Sequence, residues 1–559
     1  MKENVLLINP AINPESQSMI VNQMIIKVFP TSIGILAGYI MDRGVVDSVR
    51  IIDEQIEFIK DQDIEKIILS LDSPRIIGFS VLTLNSRRAY DLAREIKRVD
   101  PNALIVLGGI HPTVLTDEAL SCKNVDIVIR GEGEESFKEL VELVLDEKDY
   151  KRISGTSIRE NGNILHNPDR AMIANLDDIP PFPYHLFEKD LDKYPSFGAV
   201  FTSRGCPHKC IFCSSRNISG MRYRVYSIER IVSEIKILVE KYNQKIIWLM
   251  DDNIAVNPKR FKKFIEMIMV EGLHKKVEFH GSMRGDNLTD EVLEWAKKGN
   301  FKMIAFGMET GTEPLMKLLD KRDTVESTIN AIRKTSDSGI VAAATLIFGL
   351  PTETRKDRWH TLKLVRSLPL ASARFNTLVP YPGTPAFDQL NREGKVLIKK
   401  DWANFAVQYM WEGDDIPYVP DGNNRYELMF DTMFANLSYY LSFSGIMKLT
   451  KSPIAGGNVI KLSEKWYLSP VEVKKMIDVF SYLSFRFIGV TFKMILKKLV
   501  VTKMLNKGDI ILLIDDGLGF KMMEDAVIME IKQGPYVDIE DKDHLFIRPK
   551  MIAFEGDIL

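Results

Sequence analysis

Over the first 150 residues, short apolar runs alternate with segments of helical period. Val5–Ile8 is a continuous apolar run that stops at Asn9-Pro10 and reads as a strand. Ser32–Met41 reads as a helix, and Val49–Asp53 and Ile76–Ser80 as strands. Apolar residues at Ala89, Leu92, Ala93 and Ile96 predict a helix after the last of these. Ala103–Leu107 is a strand ending at Gly108-Gly109. Val125–Ile129 ends at Arg130-Gly-Glu-Gly-Glu134, and a helix follows to about Leu145. Strand–helix alternation of this kind predicts a doubly wound, Rossmann- or flavodoxin-like α/β domain over residues 1–150. Ligands of such sheets sit beyond the carboxyl ends of the strands. The loops at that edge are Asn9-Pro10, Ser80–Thr83, Gly108–Thr113 and Arg130–Gly133.

The pattern changes over residues 151–195. Thr156–Ile158 and Ile164–His166 flank Asn161-Gly162-Asn163, a hairpin signal. Pro180, Pro181 and Pro183 then fix an extended path and bar a helix. This segment reads as a linker.

From 196 to 385 strands and helices alternate again. Strands are expected at Ala199–Phe201, Lys245–Met250, Val277–Gly281, Met303–Phe306, Val341–Phe348 and Ala373–Val379. Helices are expected at Ser227–Tyr242, Pro258–Glu271, Asp290–Lys298, Pro314–Leu319, Val325–Ser336 and Arg355–Leu368. Six βα units predict a partial (βα)6 barrel with its site at the carboxyl ends of the strands.

Residues 386–559 form a C-terminal region, mostly helical with a small β unit. Arg425–Met447 reads as a long aromatic- and Met-rich helix, broken at Pro453–Gly457. Val471–Met504 is helical with interspersed Arg and Lys, which suits either packing on the barrel or peripheral contact with an anionic membrane. Ile510–Ile514 and Val527–Ile531 read as strands, and Gly517-Leu-Gly519 between them lacks the Lys-Ser/Thr of a phosphate loop.

Composition narrows the function little. The chain has 559 residues, 45% hydrophobic and 27% charged, with net charge −2. That balance gives no drive towards nucleic acid. No run of about 18 uncharged apolar residues suggests a membrane span. The first residues are too brief an apolar run for a signal peptide, so a cytoplasmic location is expected.

The chemistry sits after the Ala199–Phe201 strand. Three of the four cysteines fall in one loop, spaced Cys206-x-x-x-Cys210-x-x-Cys213. Three thiolates from one short loop can hold three irons of a 4Fe–4S cube, because soft sulfur suits such clusters. The fourth iron is then open to a substrate. The alternative is zinc, with His208 as a fourth ligand, but structural zinc usually takes two separated Cys-x-x-Cys knuckles. A disulfide framework does not suit an odd trio.

The trio, with Phe212 before its last cysteine, resembles the signature of the radical S-adenosylmethionine (SAM) enzymes. The strand-end loops of the first domain resemble the cobalamin-binding domain that precedes many such cores. The resemblance covers residues 1–385 and implies Cys206, Cys210 and Cys213 as cluster ligands. For SAM it implies Phe212, Asp251 or Asp252 at the amino group, and Arg284 at the carboxylate. It also implies Glu309 and Thr310 at the ribose, and Gly349 with Glu353 on the adenine side. For cobalamin it implies Asn9, Ser80, Thr83, Gly108, Gly109, His111 and Glu132. The Asp-x-His-x-x-Gly motif, which supplies a cobalt ligand in some cobalamin proteins, is missing, so the lower cobalt face is expected to lack a histidine. Each residue also has a plainer role: Asp251, Asp252, Glu132 or Glu309 at a helix start, Arg284 paired with Asp286, His111 bonded to backbone.

The implied reaction is reductive cleavage of SAM to a 5′-deoxyadenosyl radical that removes a substrate hydrogen. With cobalamin nearby, methyl transfer to an unactivated carbon of a small molecule or lipid follows. A non-methylating cyclisation, rearrangement or oxidation is the alternative, and a catalytically silent corrinoid-binding protein is a third. An electron donor such as ferredoxin or flavodoxin is implied. Methylthiolation of tRNA ranks low, because only Cys122 is spare for a second cysteine trio.

Overall fold

The computed structural model describes residues 3–12, 29–194, 197–398, 402, 404–405, 416–440 and 487–494. Met1–Ser484 form one compact unit and Phe485–Leu559 a second. Within the second, residues 487–494 are helical. The remainder of the expected basic helix, the Pro453–Gly457 break, the end of the Arg425–Met447 helix and the two terminal strands lie outside the described residues. No helix among the described residues is long and apolar enough to cross a membrane.

The first sheet contains β1 (Val5–Asn9), β2 (Arg50–Asp53), β3 (Ile76–Ser80), β4 (Leu104–Gly108), β5 (Ile127–Ile129), β6 (Thr156–Glu160) and β7 (Asn163–His166). Their order is β2-β1-β3-β4-β5-β6-β7. The first five are parallel, while β5–β6 and β6–β7 are antiparallel. The hairpin expected in the linker therefore forms, and it extends this sheet. Strands buried on both faces read as continuous apolar runs, which is why Val5–Ile8 and Ile76–Phe79 carry such runs. Helices Asp61–Leu69 and Ser86–Val99 close one face over Leu6, Ile8, Ile77 and Phe79. Helices Thr31–Asp42 and Glu134–Leu145 close the other over Val5, Leu7, Ile76 and Val106.

The Pro-rich segment is irregular up to Pro183, with a 3₁₀ turn at Leu176–Asp178, and a ten-residue 3₁₀ helix, Tyr184–Lys193, follows it. Its aromatics embrace Phe29, whose ring lies 4.8 Å from that of Phe187 and 4.9 Å from that of Phe197. Contacts of this kind fasten the first domain to the core that follows.

The core sheet has six strands, all parallel, in the spatial order Ser372–Thr377, Val341–Phe348, Phe301–Glu309, Glu278–Met283, Ile246–Leu249, Ala199–Val200. They are β8 (Ala199–Val200), β11 (Ile246–Leu249), β12 (Glu278–Met283), β13 (Phe301–Glu309), β14 (Val341–Phe348) and β15 (Ser372–Thr377). β13 runs three residues further than its apolar stretch predicts and carries Glu309 as its last residue. A separate two-stranded pair, β9 (Ser203–Arg204) and β10 (Arg224–Val225), closes the cysteine loop. Helix Arg425–Tyr440 packs against β15 at the end of the open sheet.

Candidate functional site

The cysteine loop hangs between β9 and β10, whose partners Arg204 and Arg224 stand in register at its neck. Gly205 begins the loop at φ +83°, where an added Cβ would fall 2.4 Å from the Arg222 carbonyl oxygen. A side chain does not fit there. Further along, the Ile211 N–H donates to the Leu319 carbonyl at 3.1 Å and the Ala386 N–H to the Ile211 carbonyl at 3.1 Å. The loop is thereby pinned to the ends of two core elements. Phe212 packs beside Leu315, Leu319 and Leu350.

Cys206, Cys210 and Cys213 are half-buried free thiols. Burial raises the pKa of all three, that of Cys210 to about 11. Among the described residues no three of His, Cys, Asp and Glu are gathered closely enough to hold one metal ion. A cube binds through irons at separate corners, and three free soft donors on one loop, close enough to influence one another's ionisation, fit that group.

At the strand ends the two aspartates part company. Asp251 is buried and accepts from the Thr202 N–H at 3.1 Å, the Thr202 hydroxyl at 2.9 Å and the Ser203 hydroxyl. Burial still raises its pKa against those bonds. Asp251 thus staples the strand end that leads into the cysteine loop. Asp252 is exposed, takes a hydrogen bond from the Ser215 hydroxyl at 2.6 Å, and bears on the charge state of Cys206 and Cys213.

Arg284 pairs with Asp286. Its guanidinium grips Asp286 through two bonds, at 2.9 and 2.8 Å, and donates to the Lys321 carbonyl at 2.7 Å. Arg284 is buried, while Asp286 is exposed. Glu309, at φ +59°, accepts from Lys321 Nζ at 2.9 Å, and the same ammonium donates to the Gly307 carbonyl. Thr310 is fully buried with its hydroxyl 3.4 Å from that of Thr312. Glu353 folds back on the Gly349 N–H, and burial pushes its carboxyl up to about 8. Gly349 has φ +80° and lies against Leu428.

Facing the cysteine loop is a cavity of about 400 Å³ with mainly apolar walls. One wall is Ser80, Gly108, Gly109, Gly131 and Gly133 from the carboxyl edge of the first sheet. The other includes Gly205, Ser215, Asp251 and Asp252. A Cβ at Gly131 would meet nothing within 4 Å, so the backbone there borders open space. Gly109, at φ +100°, is instead forced by its approach to the Val81 backbone.

Of the residues expected at this ligand, Asn9, Thr83 and His111 do not line the cavity, while Glu132 does. Asn9 donates to Asp53 at 2.8 Å, and Thr83 is buried in a 3₁₀ turn; neither lines the cavity. His111 is fully buried outside it, bonded through Nε2 to the Tyr90 hydroxyl at 3.0 Å and edge-on to Trp402. Glu132 lines the wall, but Arg224 and Arg204 occupy its carboxylate. Cys122 packs on the first domain's core. The residues that the sequence reading missed are Ser32, Arg204, Ser215, Arg224 and Lys321. Position beside the cysteine trio points to the middle three; Lys321 carries no local signal.

Comparison with known proteins agrees with both halves of this site. The radical SAM superfamily profile matches residues 200–365, and the B12 binding domain profile matches residues 26–141. An uncharacterised methyltransferase of Pyrococcus horikoshii is 33% identical over 383 residues, covering 68% of this chain and 82% of the relative. The anaerobic magnesium-protoporphyrin IX monomethyl ester cyclase of Rubrivivax gelatinosus is 26% identical over 422 residues, covering 73% of this chain and 72% of the relative. The fold is similar to that of the radical SAM methyltransferase TsrM from Kitasatospora setae, solved with cobalamin and a [4Fe-4S] cluster. That likeness has TM-score 0.62 at 15% identity and covers 78% of this chain and 89% of TsrM. The chain belongs to the radical SAM superfamily, among the members that carry a cobalamin-binding domain and work with SAM, a 4Fe–4S cluster and cobalamin.

Proposed function

We propose that this cobalamin-dependent radical SAM enzyme transfers a methyl group to an unactivated carbon of a small, largely apolar molecule. One observation carries the reading: a single apolar cavity joins the glycine edge of the first sheet to the residues flanking the cysteine trio. The bound cofactors supply the radical cleavage and the methyl carrier. The chain's own residues bind, orient and shield.

Cys206, Cys210 and Cys213 hold the cluster. Asp252, the exposed partner of the aspartate pair, receives the SAM amino group, while Asp251 fixes the strand end behind it. Glu309 and Thr310 lie towards the ribose, and the Gly349–Glu353 turn towards the adenine. Ser80, Gly108 and Gly109, which line the cavity, would hold cobalamin. His111 does not line the cavity. An electron donor such as ferredoxin or flavodoxin, in an anaerobic cytoplasm, completes the reaction. The apolar walls and the porphyrin ester named for the Rubrivivax relative support a tetrapyrrole or lipid substrate.

That relative also supports a second reading, radical cyclisation without methyl transfer. SAM labelled in its methyl group separates the two. Label in a product heavier by one methylene supports methyl transfer. Formation of 5′-deoxyadenosine with an unlabelled, oxidised product supports the second reading.

A further inference from the structure

The neck of the cysteine loop is made from two arginines that face each other. Arg204 and Arg224 are register partners across β9 and β10, and like charges directly opposite in a ladder repel. Arg224 is buried and Arg204 only slightly exposed, with side-chain exposures of 3% and 14%. Their counter-charges come from the other sheet, from the turn after β5. Glu132 Oε1 accepts from Arg224 Nη2 at 2.7 Å and from Arg204 Nη1 at 3.2 Å. Glu132 Oε2 accepts from Arg224 Nη1 at 2.8 Å and from the Ile173 N–H at 3.1 Å. Glu134 Oε1 accepts from Arg204 Nη2 at 2.6 Å. Arg224 also donates to the carbonyl of Ser219, a residue of the loop itself, at 3.0 Å.

Burial alone raises the Glu132 carboxyl; the two guanidinium groups outweigh it and hold that carboxyl below the usual range, so the clamp is ionic. The clamp is also one donor short, because Glu134 Oε2 is buried with no hydrogen-bond partner among the described residues. Glu132, Glu134 and Arg204 line the cavity beside Gly131 and Gly133. A ligand filling the cavity therefore touches the same groups that hold both ends of the cysteine loop.

We propose that this clamp couples the two cofactor sites, so that cobalamin in the cavity changes the affinity for SAM at the cysteine loop. The inference rests on the functional reading above, which assigns one ligand to each side. Glu132 and Glu134 are positioning residues that act through Arg204 and Arg224. Linkage requires the effect to be mutual: SAM changes the affinity for cobalamin by the same factor.

The test is equilibrium dialysis of SAM against the cluster-loaded protein, with and without hydroxocobalamin, and of hydroxocobalamin with and without SAM. The wild type is expected to show equal shifts in the two directions, each about five-fold or more. Glu132→Gln and Glu134→Gln are expected to bring both shifts close to unity. Where Glu132→Gln fails to fold, having left the buried Arg224 uncompensated, Glu134→Gln and Arg204→Lys decide. Wild-type affinities that ignore the other ligand, or variants that keep the full shift, overturn the clamp. Protein that takes up neither cluster nor cobalamin contradicts the functional reading instead.

Discussion

The side-chain amide of Asn436 bonds both polar groups of one backbone residue: its oxygen accepts from the Phe375 N–H at 3.1 Å, and its nitrogen donates to the Phe375 carbonyl at 2.8 Å. Phe375 lies on β15, the outer strand of the core sheet, so an amide stands in for the neighbour strand that the open sheet lacks. The Tyr439 hydroxyl adds a bond to the Leu370 carbonyl at 2.7 Å. Helix Arg425–Tyr440, beyond the superfamily match, thus seals the sheet edge. Asn436→Ala leaves a buried N–H and carbonyl unsatisfied. A loss of about 1–3 kcal/mol per group sets the scale, readable as a lower urea midpoint at unchanged slope.

Glu353 gives the protein a pH dependence of calculable sign. Its carboxyl ionises at about 8 in the fold, because burial outweighs the Gly349 N–H and nearby Arg358, against an ordinary value of 4.5. Between those values the folded chain holds a proton that the unfolded chain has released. Stability from this group is therefore full below the lower value and falls as pH rises through the window, by at most about 1.4 kcal/mol per pH unit. Glu353→Gln keeps an acceptor for the Gly349 N–H and removes the titration. Melting temperature followed from pH 5 to 8 should decline more steeply in the wild type than in the variant.

The aspartate pair separates binding from folding. Asp252→Ala removes an exposed carboxylate, so about ten-fold weaker SAM binding with unchanged stability is expected. Asp251→Asn weakens charge-assisted bonds from Thr202 and Ser203, and a stability loss of about 1–3 kcal/mol is expected. Dialysis and urea unfolding on both variants check the split. The reverse pattern would exchange the two roles.

His111 tests the position of the cavity wall. It is buried outside the wall, between Tyr90 and Trp402. His111→Gln should leave hydroxocobalamin affinity within about two-fold of the wild type and lower thermal stability by the loss of one buried hydrogen bond, about 1 kcal/mol. A selective loss of cobalamin at unchanged stability would move the ligand to this loop.

The architecture was legible in the sequence because it follows from local pattern. Parallel strands buried on both faces must be apolar runs, and Val5–Ile8 and Ile76–Phe79 are such runs. Polar residues at strand ends were likewise found where the fold class requires. Their partners were not, since partnership is tertiary: Glu132 meets Arg224 across 92 residues of sequence, and Asn436 meets Phe375 across 61. His111 and Glu132 fell in the expected loops, yet loop membership does not say which way a side chain turns. Arg284 had a suitable partner two residues away, and the local pair formed. Helix Asp61–Leu69 was missed because its two buried residues, Ile64 and Ile68, make too short a stripe to stand out.

The cysteine trio is tested most directly by anaerobic reconstitution followed by assay of iron, sulfide and 5′-deoxyadenosine. Wild-type protein is expected to hold about four irons and to cleave SAM under reducing conditions. Cys210→Ala is expected to lose both properties while keeping its cobalamin. A wild-type protein that takes up no iron or sulfide, or a Cys210→Ala variant that cleaves SAM at the wild-type rate, would contradict the account.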